Sequence, residues 1–115
     1  GNDSLLGLLH EARVRFLEHC GFSELNICGL GLIIADSVIV YKSEAFSGER
    51  LEIAVTATDF NQYGCDFVYR VTEKVSGREV ARAKTGIVFF DYEQRAIQHV
   101  PPTFSKLFTT DAVLA

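Results

Sequence analysis

Residues 1–21 read GNDSLLGLLHEARVRFLEHCG, and the way this stretch folds decides what the rest of the chain has to do. Leu5, Leu8, Leu9, Ala12, Phe16 and Cys20 recur at steps of three and four, so a 3.6-residue period sets them on one face, which Leu6 and Leu17 widen. Asn2, Asp3 and Ser4 are N-cap types, able to accept hydrogen bonds from the free N–H groups of a first turn. Gly21 suits a left-handed C-cap, and His19 falls in the last turn, where positive charge is favourable. The pattern predicts one long helix from Asn2 to Gly21. Gly7 opposes it, since glycine within a helix costs roughly 1 kcal/mol relative to alanine. Its presence is expected to mark close packing. A helix apolar over so wide an arc needs a cover, and the segments available to supply one read as strands.

Phe22 to Gly31 is a connection, punctuated by Ser23, Asn26, Gly29 and Gly31. Leu32 to Glu44 contains LIIADSVIVY, whose β-branched and aromatic residues predict a strand. Ser47-Gly48-Glu49 turns the chain. Leu51, Ile53, Val55 and Ala57 then alternate with Glu52, Thr56 and Thr58, so the odd residues face a core. After a break at Asn61 to Gly64, Phe67, Tyr69 and Val71 alternate with Asp66, Arg70 and Thr72. Ser76-Gly77 closes a hairpin onto a last strand from Glu79 to about Tyr92, in which Ala81, Ala83, Thr85, Ile87 and Phe89 share one face and Arg82 and Lys84 the other. Val100-Pro101-Pro102 stops the sheet, and Thr103 to Leu107 is expected to start a short helix. Helix first and four long strands after it make a single α+β domain over residues 1–115.

Composition narrows the function. Of 115 residues, 48% are hydrophobic and 23% charged, ordinary values for a soluble globular protein. The net charge of −4 leaves no basic surface for nucleic acid or anionic membrane. No apolar run reaches the roughly 18 residues of a membrane span, and no signal-peptide layout opens the chain. Cys20, Cys28 and Cys65 lack a C-x-x-C pairing and stand among apolar residues, which reads as buried reduced thiols and a cytoplasmic location. His10, His19 and His99 have no metal-ligand spacing, so no metal site is expected. Asp36, inside an apolar strand, is either a buried carboxylate or a solvent-facing residue at a dimer edge.

In order and spacing these pieces resemble the hotdog-fold acyl-CoA thioesterases of the 4-hydroxybenzoyl-CoA thioesterase-like superfamily. Asn2, Glu11-Ala12-Arg13, Phe16-Leu17 and Gly21 resemble the family's helix, N-N-x-x-Y-L-x-x-x-E-E-A-R-x-x-F-L-x-x-x-G. Tyr41, Ala45 and Gly48-Glu49 resemble Y-x-x-P-A-x-x-G-D, with Glu44 where proline is usual. Val68 to Phe90 with Gly77 at the turn resembles the closing hairpin, and Asp91 with Val100-Pro101 its ending. The resemblance implies a long central helix wrapped by a curved antiparallel sheet, homodimers or homotetramers joined through their sheets, an acyl-CoA or acyl carrier substrate, and no metal or redox cofactor. It also places the usual catalytic carboxylate, and a first strand, upstream of residue 1. A missing N-terminal segment is therefore expected.

Thioester hydrolysis needs N–H donors on the carbonyl and a carboxylate that delivers water or attacks. The free amides around Asp3 to Leu5 form a ready oxyanion site, with Ser4 beside it. Capping alone accounts equally well for Asn2 and Asp3; Asp3 is the fallback base if none lies upstream. Glu11 is either a base facing a neighbouring subunit or a packing residue paired with Arg13 or a strand. The resemblance puts Asn61, Gln62 and Tyr63 near the partner's thioester, whereas a polar turn explains them as well. Arg82 and Lys84, with Lys42, Arg50 or Arg95, suit the phosphates of coenzyme A or simply face solvent.

Overall fold

A computed structural model describes residues 2–108, with the side chains of Asn2, Asp3 and Ser4 outside the described residues. Helix α1 runs Asn2–His19, two residues short of the expected end. Two bonds close it in a Schellman arrangement: the Phe22 amide donates to the Leu17 carbonyl at 2.8 Å and the Gly21 amide to that of Glu18 at 2.9 Å. Gly21 sits at φ +90°, as that cap requires.

The buried stripe of α1 is Leu5, Leu9, Arg13 and Leu17, with Ala12, Phe16 and Cys20 half-buried beside it. Leu8 and Leu6 are 39% and 48% exposed, so the leucine-rich face is narrower than its sequence suggests. A charged residue occupies its middle instead. Gly7 contradicts the expectation of close packing, for a Cβ built there meets nothing within 4 Å.

Strands β1 (Gly31–Tyr41), β2 (Leu51–Thr58), β3 (Gly64–Glu73) and β4 (Glu79–Asp91) form one antiparallel sheet in the order β1-β4-β3-β2. The sequence placed each of the four. β1 ends three residues before the expected Glu44, where the amides of Lys42 and Ser43 both turn to the Val80 carbonyl. A two-residue strand β5 (Ala96–Ile97), which the sequence did not announce, pairs with the end of β4. β1 and β2 are the outer strands of the sheet order. β1 carries a bulge between Ile34 and Asp36.

The even-numbered residues Arg82, Lys84, Val68 and Arg70 point away from α1, while Ala81, Ala83, Thr85, Phe67 and Tyr69 are buried beneath it. Helix α2 spans Pro102–Ser105, starting one residue before the expected Thr103 with Pro102 in its first turn. It carries Phe104 into the core, 5.6 Å from the Phe89 ring and 5.8 Å from Phe22, while Phe16 packs edge-on to Phe67 at 5.5 Å. The three thiols are free, but only Cys65 is fully buried: Cys28 is exposed, on a tight turn where its φ is +56°. Asp36 takes the solvent-facing alternative. Its carboxylate is exposed and accepts the Gly86 amide at 3.0 Å, bracing the bulge.

Candidate functional site

Two clefts flank α1. One lies toward β2, between Leu8, Glu11, Ala12, Arg15 and Phe16 on the helix and Ile53 and Val55 on the strand, and has a volume of about 450 Å³. The other lies toward β1 and is smaller, about 120 Å³, lined by Leu6, Leu9 and Arg13 on the helix and by residues of β1 and β4 that include Ser37, Ile39, Lys84 and Thr85.

Arg13 organises the second cleft. It is 7% exposed, and its guanidinium donates to Glu24 at 2.9 Å and to the Tyr69 hydroxyl at 3.2 Å. Tyr69 in turn lies 2.7 Å from the Thr85 hydroxyl. Arg13 Nη2 also donates to Nδ1 of His10 at 2.9 Å. Burial works against the charge, but the bonds to Tyr69 and Glu24 outweigh it and hold Arg13 protonated above the ordinary range. The sequence reading did not join these five residues into one network. The clue available was that Arg13 completes the spacing of Leu5, Leu9 and Leu17.

The expected site residues fall in different places. The side chains of Asn2, Asp3 and Ser4 lie outside the described residues, although the helix backbone starts at Asn2. Glu11 lines the cleft toward β2, where Arg15, one turn on, donates to it at 2.6 Å. The expected partner, Arg13, is committed to Glu24 instead, because residues 11 and 13 point to different sides of a helix.

Asn61 builds its own turn, its side-chain oxygen accepting the amides of Tyr63 at 2.9 Å and Gly64 at 3.0 Å. Gln62 donates to Nε2 of His99 at 3.0 Å, and the Tyr63 and His99 rings lie 5.2 Å apart. This cluster precedes β3 and sits beyond Phe67, the ring that Phe16 covers in the C-terminal half of α1. Within one protomer it is thus remote from the start of the helix. Arg82 and Lys84 stand on the sheet face away from α1. Arg82 and the opposed Arg70 share Glu79 at 2.8 and 2.9 Å, and Lys84 lies 3.9 Å from Asp66. Among the described residues there is no cluster able to hold a metal ion, and no helix is long and apolar enough to cross a membrane.

A family model described as the thioesterase-like superfamily matches residues 1–108. The chain belongs to that superfamily. Its α+β arrangement of one antiparallel sheet and a helix is consistent with the hotdog fold. Solved structures agree on the fold. A 1,4-dihydroxy-2-naphthoyl-CoA thioesterase from Synechocystis matches with a TM-score of 0.78 and 23% identity, over 90% of this chain and 78% of that one. A DHNA-CoA thioesterase from Staphylococcus aureus matches with a TM-score of 0.78 and 12% identity, over 100% and 83%. A second S. aureus protein, solved in complex with CoA, gives a TM-score of 0.80 and 16% identity over 92% and 68%. No curated protein sequence matches. Membership in the superfamily supports thioesterase activity at family level.

Proposed function

We propose that this member of the superfamily is an acyl-CoA or acyl carrier thioesterase that works in the cytoplasm as a homo-oligomer. The observation that carries the reading is the family match over residues 1–108. The first-turn amides of α1 polarise the thioester carbonyl, since their N–H groups have no intrahelical acceptor and the helix dipole favours negative charge there. The resemblance puts the carboxylate that activates water upstream of residue 1, and Asp3 is the fallback base within residues 1–115. Glu11 stands eight residues on, about 12 Å along the axis at 1.5 Å per residue. It reaches such a carbonyl only from another subunit, and only after parting from Arg15.

The oligomer follows from the edges. β1 ends the sheet order and carries exposed Ile34, Val38 and Val40, an edge that a second copy covers by antiparallel pairing. Such pairing sets the Gly31 end of one protomer beside the Tyr41 end of the other. It brings the partner's Asn61–Tyr63 end of the sheet toward the start of α1, a distance no single protomer spans. Arg82 and Lys84 then serve the phosphates of coenzyme A from the outer sheet face.

The test is thiol release from a panel of acyl-CoAs by the full protein, beside the Asp3→Asn and Glu11→Gln variants. Turnover by the wild type supports the reading; a loss of at least a hundred-fold in Asp3→Asn or Glu11→Gln assigns the carboxylate to that position, and full activity in both variants assigns it to a segment upstream of residue 1. Absence of thiol release from every acyl-CoA, with coenzyme A esters still bound, favours the second reading, a non-hydrolytic acyl-CoA-binding module.

A further inference from the structure

One ring nitrogen on α1 has two neighbours with opposite requirements. Nδ1 of His10 lies 2.9 Å from Nη2 of Arg13 and 3.6 Å from Oε1 of Glu24. A guanidinium only donates, so the bond to Arg13 takes the lone pair of that nitrogen; a carboxylate only accepts, so a bond to Glu24 needs a proton there. The two bonds exclude each other. We propose that His10 is a proton-operated selector of partners: the neutral ring holds Arg13, and the protonated ring releases Arg13 Nη2 and takes Glu24.

The placement of the three groups suits this role. The side chain of His10 is 59% exposed and in reach of solvent protons, whereas that of Arg13 is 9% exposed. Histidine is the residue type whose charge ordinarily changes between pH 5 and 8, and a guanidinium stays charged throughout. Glu24 has an oxygen for each partner, because Oε2 receives Arg13 Nε at 2.9 Å while Oε1 faces His10. Closing the second contact to a charge-assisted length of about 2.8 Å takes side-chain rotation and no change in the helix.

Among the described residues, Arg13 and Glu24 are the charged groups bonded or ion-paired to His10, one on its own helix and one on the turn that follows. The strands meet it only through Arg13. Tyr69 of β3 accepts from Arg13 Nη1 at 3.2 Å and lies 2.7 Å from Thr85 of β4, and Lys84 of β4 is directed to Asp66 at 3.9 Å.

The proton is taken up outside and felt inside. Arg13 and Glu24 cancel while His10 is neutral; its protonation leaves the trio with one positive charge and frees an N–H of a buried guanidinium from its acceptor. Arg13 is in the wall of the cleft toward β1, so acid makes that wall more positive and neutral pH restores it.

NMR titration of the full protein from pH 5 to 8 tests the selector by following the rings of His10, His19 and His99 and the side-chain nitrogens of Arg13. The Arg13 signals should move with the same midpoint as the His10 ring, and Nδ1 of His10 should be the unprotonated nitrogen above that midpoint. Glu24→Gln removes the acceptor of the protonated ring and should lower the His10 midpoint by roughly half a pH unit or more; Arg13→Met removes the competing donor and should raise it by a similar amount. His19 and His99 should keep their midpoints in both. If Arg13→Met does not fold, the wild-type titration and Glu24→Gln decide alone. Arg13 signals that ignore the His10 titration, a neutral ring protonated on Nδ1, or a midpoint that stays or rises in Glu24→Gln overturns the proposal.

Discussion

Arg13 of α1 donates to the hydroxyl of Tyr69 on β3 at 3.2 Å, a buried bond that ties the helix to the sheet. Tyr69→Phe keeps the ring and removes the oxygen, leaving an Arg13 donor and the Thr85 hydroxyl without that partner. Stranding buried polar groups costs about 1–3 kcal/mol. The urea midpoint should fall accordingly, with the slope unchanged. An unaltered midpoint would show that water replaces the phenol.

Gly7 faces open space inside α1. Gly7→Ala therefore gains helix propensity with no steric charge against it, about 1 kcal/mol. Thermal unfolding should shift upward by a few degrees. A downward shift would mean that something packs against this position after all.

Gly86 and Gly64 are glycines for different reasons. A Cβ at Gly86 would stand 2.5 Å from the Asp36 carboxylate, whereas one at Gly64 would strike the backbone carbonyl of Ile87. Gly86→Ala should destabilise by about 1–3 kcal/mol through overpacking, and Asp36→Ala should restore part of that loss in the double variant. No side-chain change should rescue Gly64→Ala. Denaturation of the four proteins reads out both statements; additivity of Gly86→Ala and Asp36→Ala would sink the first.

Burial, reinforced by the negative charge of Asp66, pushes the Cys65 thiol up to about 12. Its folded value thus exceeds the ordinary value of about 8.5. The contribution to stability is complete below that ordinary value and is lost as pH climbs toward 12. Cys65→Val should flatten the alkaline limb of the stability curve. At pH 8 an alkylating reagent should modify exposed Cys28 first and leave Cys65 untouched until the protein unfolds. Simultaneous modification of both would contradict this.

The opposite sign holds for Glu73, whose carboxylate accepts the amides of Val75 at 3.0 Å and Ser76 at 2.8 Å and is held below the usual carboxylate range by those bonds. Its contribution is present above the ordinary value of about 4.3 and fades as pH falls through the lowered one. Glu73→Gln should therefore lose stability at neutral pH and show a shallower decline on acidification. Parallel acid limbs for the two proteins would exclude the carboxylate as a cause.

The helix and the four long strands were legible because their periods are long and unbroken: Leu51, Ile53, Val55 and Ala57 leave little choice but a strand. β5 was not, since two residues carry no period. Burial on α1 was misjudged at Leu6, Leu8 and Gly7, because periodicity gives an axis and not the width of what covers it. The burial of Arg13 was missed for a related reason. A charged residue reads as surface until its partners are known, and Glu24, Tyr69 and Thr85 are distant in sequence. Glu11 was paired with Arg13 or a strand from sequence, whereas its partner is Arg15 one turn on, the neighbour that helical spacing favours. The chemistry of residues 61–63 stayed ambiguous because Asn61 spends its side chain on its own turn.

The bulge at Asp36 makes β1 a discriminating edge. A straight strand laid along it stays in register on one side of the kink and drifts out of phase on the other, so flat cross-β stacking halts after a few residues. The same irregularity that interrupts the pleat thus works as a shape filter, turning away indiscriminate strand addition along this edge.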